Sequence, residues 1–430
     1  MRNIIVKISS SKNEIIFNFE MEDDDRHNPT DNFSIGKRYA SIKTNNYDLK
    51  EVHNDLLALS IILMCNPFVG KRLKLPFKIS KRFKDSVKSV LTRYTIEAEG
   101  NYIPHREINS RYRPALAFSG GVDSTAALAV MPANTAPIFM DRPVSKGSLY
   151  NPSAAHNSCK ILNEIGFDAE RVECDLEYLR DPVGFPTDVA NAVPCIILAD
   201  KMGLASVSFG TVLESAYGIG HNNFREYTRG SHWIFFSTLF KGAGIPMALP
   251  IAGISEVGTS IIANKSPVGI VAQSCIRGEW GSPCNKCWKC FRKGLLNVAL
   301  KQSNLKEEDV EIFFKSGEVK NKLSSYPISH ENVLSFSVNR IDCDFKNQNL
   351  ENLSRRVGGL GELNFLNKWY PQSIELIPVE WRYECREKIL KYLLPMKKIE
   401  QEMIEEWTME YYLLSEDTIM ANKRMIGNWT

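Results

Sequence analysis

The run Ala115-Leu-Ala-Phe-Ser-Gly-Gly-Val-Asp-Ser-Thr125 constrains this chain more than any other stretch. Its apolar opening, Ala115 to Phe118, reads as a short buried strand, and Thr125 to Val130 reads as the start of a helix. Between them stand Ser119, Gly120, Gly121, Val122, Asp123 and Ser124. A strand, a glycine turn and a helix N-terminus in that order build an anion site. The first amides of a helix lack intrahelical partners, and the helix dipole favours negative charge beside them. Gly120 and Gly121 permit positive φ and close approach of a ligand to the backbone. Ser119, Ser124 and Thr125 add hydroxyl donors. Asp123 cannot hold phosphate directly, which leaves it a bound Mg²⁺ or a capping role. The loop lacks the Gly-Lys-Ser/Thr ending of a Walker A loop, so it does not read as that of a kinase or GTPase. A glycine turn without a ligand is the plainer alternative, and the agreement of loop and context speaks against it.

A second signal lies further along. Cys275 is followed after eight residues by Cys284-Asn-Lys-Cys287-Trp-Lys-Cys290. Four thiolates at that spacing match a closed tetrahedral Zn²⁺ shell, and no context specific to an iron–sulfur cluster is visible. Unrelated free cysteines rarely fall at such intervals. Lys286, Lys289, Arg292 and Lys293 flank the run and are expected to offset the negative charge of the zinc-tetrathiolate centre. A closed shell leaves no place for substrate, so the metal is expected to stabilise the fold.

The loop resembles the SGGxDS motif of the ATP-pyrophosphatase (PP-loop) superfamily, whose members adenylate a substrate and release pyrophosphate. Together with the C-x8-C-x2-C-x2-C pattern, it resembles the QueC family of 7-cyano-7-deazaguanine synthases. The segment Gly184 to Asn191 opens a helix running to about Met202, Ser206 to Thr211 reads as the next strand and loop, and Pro250 to Ser255 precedes another helix, all in keeping with that family. The resemblance spans about Arg111 to Leu300. In general layout the chain is similar to the longer QueC-like proteins of bacterial anti-phage defence systems.

This resemblance implies an α/β fold, a parallel-sheet PP-loop (HUP-like) core. It implies ATP and Mg²⁺ at Phe118, Ser119, Gly120, Gly121, Val122, Asp123, Ser124 and Thr125, with Ser119, Asp123 and Ser124 serving catalysis. Asp141 and Gly210, past later strands, are further nucleotide contacts; a loop cap is the plainer role for Asp141. Zn²⁺ would sit on Cys275, Cys284, Cys287 and Cys290. The implied substrate is a 7-carboxy-7-deazaguanine-like acid, activated as an acyl-adenylate. The implied amine is ammonia in the stand-alone synthase, where a second ATP yields the nitrile, or a partner protein's N-terminus in the longer relatives. Sequence outside the resembled region favours the protein acceptor, because a protein substrate needs a docking surface. A tRNA-modifying PP-loop enzyme and a non-catalytic scaffold are the alternatives. By position, Arg142, Arg180 and Arg225 are candidate carboxylate or phosphate contacts, and Glu177, Asp188 and Glu214 are candidates to read a guanine-like edge.

Length allows two or three domains in 430 residues. The reading is an α+β module over residues 1–110, the PP-loop domain with its zinc loop over 111–300, and a mainly helical region over 301–430. In the first module Asn3–Ile8 and Glu14–Phe19 read as a hairpin, Met21–Asn32 as an acidic loop and Asp48–Met64 as a helix. Leu73–Ile79 reads as a strand, and Ser80 as the cap of a following helix. In the central domain Asp188–Met202 reads as one helix. In the last region Glu307–Lys315, Val379–Leu394 and Glu400–Leu414 read as helices. Trp407, Tyr411 and Tyr412 are expected to pack inward rather than form a partner surface.

A formal charge of +3 is too small to argue for nucleic acid. The basic stretch Lys71–Lys84 reads as a solvated face with Phe77 and Phe83 turned inward, over the alternative of a polyanion patch. The start shows no signal-peptide pattern, and the apolar run Leu56–Cys65 is too short to span a bilayer. Cys65, Cys159, Cys174, Cys195, Cys343 and Cys385 are scattered and read as reduced core thiols, which suggests the cytoplasm. His156, His221 and His232 read as structural, and a homodimer is possible.

Overall fold

The computed structural model describes residues 3–22, 34–44, 46–109, 112–145, 148–342, 344–361 and 363–427. Most of the predicted Met21–Asn32 loop, Arg111 and Cys343 lie outside the described residues. Two five-stranded sheets organise the chain. The first contains β1 (Asn3–Ser11) and β2 (Glu14–Met21), which form the predicted hairpin with Val6 opposite Phe19. A two-residue β3 (Ser34–Ile35) leads to β4 (Tyr39–Lys43), which extends the hairpin on its β2 side. On the other side β5 (Arg72–Leu75) and then β6 (Thr95–Ala98) add in parallel. Ser80 accepts a hydrogen bond from the Phe83 amide at 3.0 Å and caps helix Lys81–Val90 as predicted.

The second sheet is wholly parallel. It holds β7 (Arg113–Phe118), β8 (Ala136–Asp141) and β9 (Glu170–Glu173). A short β10 (Arg180–Asp181) pairs with β3 and lies outside it. β11 (Leu204–Ser208) and β12 (Met247–Ala248) complete the sheet, in the order β12-β11-β7-β8-β9. Side chains alternate along β7 with a period of two. Ala115 and Ala117 join one core, while Leu116 and Phe118 join a second core with helices Val122–Val130 and Ser153–Glu164. Helices therefore cover both faces, as a parallel sheet requires. From β7 the chain winds one way to β8 and β9, and then returns past β7 to β11 and β12. The direction reverses between β7 and β11, and in such sheets the crevice beyond those strand ends is the place for a ligand.

The first of these cores is shared by the two sheets. Helix Asn54–Cys65 is buried from Asp55 to Cys65 and packs on Val193–Ile197, which in turn lies on β7, β8 and β11. Asp55 is buried as well, its Oδ1 accepting the Ser80 amide at 2.8 Å. The described residues before β7 hold both strands and helices, and they share their core with the central sheet.

Two predicted helices are interrupted. Asp188–Met202 is divided into a turn at Ala190–Ala192 and short helices Val193–Ile197 and Ala199–Met202. Pro194 in the first turn of Val193–Ile197 lacks an amide proton and cannot continue a helix from before it. Glu400–Leu414 is split into Lys398–Glu405 and Glu410–Leu414. Trp407 stands in the break and packs edge-on to Phe365 at 6.1 Å. Tyr412 meets the fully buried Arg356, whereas Tyr411 is 83% exposed. Arg356 also pairs with Glu331, which is equally buried. No described helix is long and apolar enough to cross a membrane.

Candidate functional site

The loop after β7 has the geometry its sequence demands. Gly120 has φ +74°, and the Gln273 amide donates to its carbonyl at 2.8 Å. Gly121 is the N-cap of helix Val122–Val130 and offers no side-chain cap. The Val122 amide points to Ser274 Oγ at 3.3 Å. Ser119 and Ser124 hydroxyls lie 3.0 Å apart, and Ser124 also donates to the Gly121 carbonyl. Thr125 is turned into the core, so only the first two predicted hydroxyls face the crevice. Space at Gly210, just past β11, is tight: a Cβ there would stand 3.1 Å from the Ser124 amide nitrogen.

Two cavities meet at Ser119 and Asn191. The polar one, about 240 Å³, is walled by the loop, Gly210, Thr211, Asp188 and the cations Lys289, Arg292 and Lys293. The apolar one, about 200 Å³, is walled by Phe118, Phe139, Met140, Tyr150, Phe185 and Ile276. Arg142 and Glu177 form an ion pair at its wall, with the guanidinium 4.3 Å from the Tyr150 ring centre.

The three cations come from one helix, Trp288–Ala299, at i, i+3 and i+4, so they share a face. This corrects the expectation that Arg292 and Lys293 screen the cysteine centre. Arg292 donates to Glu256 at 2.7 Å. Lys293 lies 3.4 Å from Asp123 and 3.4 Å from Glu256. Thr259 donates to the same Asp123 oxygen at 2.7 Å. Burial alone would lower the Lys293 ammonium, but Asp123 and Glu256 carry it upward. Burial alone would raise the Glu256 carboxyl, yet Lys293, Arg292 and His330 hold it well below the usual carboxylate range. Both groups therefore stay charged behind the loop. Glu214 sits deeper, bonded to the Glu256 amide and to Asn332, and burial together with the Glu256 charge pushes its carboxyl up to about 8.

The same helix starts at the cysteine cluster. Ligand atoms of Cys275, Cys284, Cys287 and Cys290 all lie within 4.8 Å of one another. The Cys284–Cys290 and Cys287–Cys290 sulfurs are 3.9 and 3.5 Å apart. Ligands at the Zn–S distance on a tetrahedron would stand about 3.8 Å apart, so the four sulfurs fit a metal ion such as zinc. Backbone amides of Gly278, Cys284 and Cys290 donate to Cys275 or Cys287 and favour thiolates. The hydrogen bond it shares with Cys290 holds the Cys287 thiol down to about 5, against burial. Cys287 is also the N-cap of the cation-bearing helix. The cysteine loop thus sets where Lys289, Arg292 and Lys293 point.

Other predicted contacts are placed differently. Asp141 is held by His156 at 2.8 Å and Arg171 at 3.3 Å and lines neither cavity, although its neighbours Met140 and Arg142 line the apolar one. Arg225 donates to carbonyls of Ala216 and Ser215, and Arg180 to that of Phe185. Neither arginine lines either of these two cavities, nor does the buried Glu214. Glu177 and Asp188 do. Glu256, Thr259, Ser274 and Asn191 were not singled out from sequence, and no local pattern marks them. The face shared by Lys289, Arg292 and Lys293 was readable from their spacing.

A model described as a family of unknown function (DUF6395) matches residues 235–408. That span holds Glu256, Thr259, the four cysteines, the cation face and His330, and leaves out the Ser119–Thr125 loop. No curated protein and no solved structure matches the chain.

Proposed function

We propose that this protein is an ATP-dependent, AMP- and pyrophosphate-forming ligase of PP-loop type. One observation carries the reading: the N-terminus of helix Val122–Val130, whose N-cap glycine supplies no side chain, and the cations Lys289, Arg292 and Lys293 converge on one cavity at the reversal of a parallel sheet. Triphosphate belongs in the polar cavity, where amides and cations meet its charge. A flat heteroaromatic ring belongs in the apolar cavity next to it. Mg²⁺ would be held mainly by phosphate oxygens, with Asp123 the nearest loop carboxylate, and would neutralise charge there. A substrate carboxylate attacks the α-phosphorus, forming an acyl-adenylate as pyrophosphate leaves. Ser119, Ser124 and the loop amides stabilise the developing charge, so no protein nucleophile is needed. An amine then displaces AMP and leaves an amide.

The resemblance to QueC-like proteins supports a 7-carboxy-7-deazaguanine-like acid, and a partner protein's N-terminus as the amine. Zinc on the four cysteines would fix the cation helix. The test is incubation with ATP, Mg²⁺ and 7-carboxy-7-deazaguanine. AMP and pyrophosphate should appear, and Ser119→Ala and Asp123→Ala should abolish them. ADP and orthophosphate as products would overturn the reading.

A further inference from the structure

At the mouth of the polar cavity stands a hydrogen-bonded chain of three side chains. Asp188 forms part of the wall, together with Ser119 and Lys293. Its Oδ2 lies 2.7 Å from His232 Nε2, and His232 Nδ1 lies 2.8 Å from Tyr227 Oη. Asp188 precedes the Ala190–Ala192 turn, whereas His232 stands in the first turn of helix Ser231–Gly242, so the tertiary fold brings them together. Phe236, with its ring centre 4.9 Å away, and Tyr227 hold the imidazole in place. Tyr227 is buried, while the Asp188 side chain is 68% exposed. A proton on Nε2 satisfies both contacts: the imidazole donates to Asp188 and accepts from the tyrosine. One carboxylate oxygen is then occupied, and the other, with no partner among the described residues, is left for an incoming N–H.

We propose that Asp188 is the catalytic base for the amine-transfer half-reaction, with His232 and Tyr227 as its positioning residues. The inference rests on the adenylation reading above and assigns the step that follows it. The amine nitrogen attacks the acyl carbon and the C–N bond forms. The N–H proton passes to Asp188. The bond from the acyl carbon to the phosphate oxygen then breaks, and its electron pair leaves with AMP. A primary amine reaches this position from solvent past Asp188, while the phosphates stay on the cation side. Nothing in this arrangement is needed for attack of a carboxylate, which brings no proton, on the α-phosphorus.

The two half-reactions can be read separately. With ATP, Mg²⁺, 7-carboxy-7-deazaguanine and glycinamide, pyrophosphate reports adenylation and the new amide reports transfer. Asp188→Asn should lower the ratio of transfer to adenylation about 100-fold, the usual size of a general-base effect. His232→Gln should lower that ratio at least several-fold. Added formate should restore transfer in Asp188→Ala, which a merely structural role would not permit. An unchanged ratio in both Asp188→Asn and His232→Gln overturns the proposal, as does a parallel fall of both half-reactions without formate rescue. A wild-type protein that releases no pyrophosphate overturns the adenylation reading itself, and the proposal with it.

Discussion

The two sheets have the same number of strands and part of one core, yet they place their cations differently. On the mixed sheet, Lys74 meets Glu22 at 2.7 Å, and Arg72 reaches Glu22 at 3.5 Å and Glu97 at 3.6 Å. Each of these cations has a carboxylate close by, on β6 or just past the end of β2, and the basic stretch Lys71–Lys84 lies at the surface there. At the parallel sheet the cations arrive from outside, on a helix tied down at the cysteine loop. Lys289 faces the cavity with no carboxylate partner among the described residues. Local balance of charge makes a surface that asks for nothing. Convergence of Lys289, Arg292 and Lys293 on a helix N-terminus is the arrangement on which the proposed nucleotide site rests.

The largest test of that contrast is to release the helix. Cys287→Ser should remove most of the bound metal, expected at about one zinc per chain. It should lower the melting temperature strongly, since structural zinc contributes on the order of 10 kcal/mol to such folds. Elemental analysis and calorimetry check this, and a metal-free wild type would break the link between loop and cations.

A smaller effect lies behind the site. Glu214 keeps its proton up to about pH 8 when folded, against 4.5 for an ordinary glutamate. Between those values the unfolded chain has lost a proton that the folded chain retains. The stability this group contributes is therefore complete below pH 4.5 and declines as pH rises towards 8. Glu214→Gln removes that linkage. Relative to wild type the variant should gain on the order of 2–4 kcal/mol between pH 5 and pH 8. Denaturant melts at both pH values measure the difference, and parallel curves would refute the buried neutral acid. The smallest effect belongs to the mixed sheet: Lys74→Ala should shift the melting temperature barely, less still at high salt, and leave pyrophosphate release unchanged.

What was legible in the sequence was local. The apolar run, paired glycines and small helix residues of Ala115–Val130 specify strand, turn and helix without help from elsewhere. Cysteine spacing predicts a cluster because four thiols on one loop cannot be far apart. Ser80 declares its cap through a position three residues before Phe83. What was missed depends on distant partners. β4 and β12 are short and become strands by pairing. Arg292 and Lys293 stood in view, but which anion they face is decided by Glu256 and Asp123, brought in from other segments. Asp188 and His232 are likewise joined only by the fold: by position Asp188 was a candidate to read a guanine-like edge, and His232 alone reads as structural.

The helix Asn54–Cys65, enclosed on all sides, has a consequence for the order of events during synthesis. Its apolar surface leaves the ribosome long before Val193–Ile197, the segment that covers one flank. For that interval the nascent chain carries a sticky, half-clad helix, a natural target for chaperones that bind apolar segments. A truncation after about residue 110 would make that interval permanent, and the fragment should aggregate.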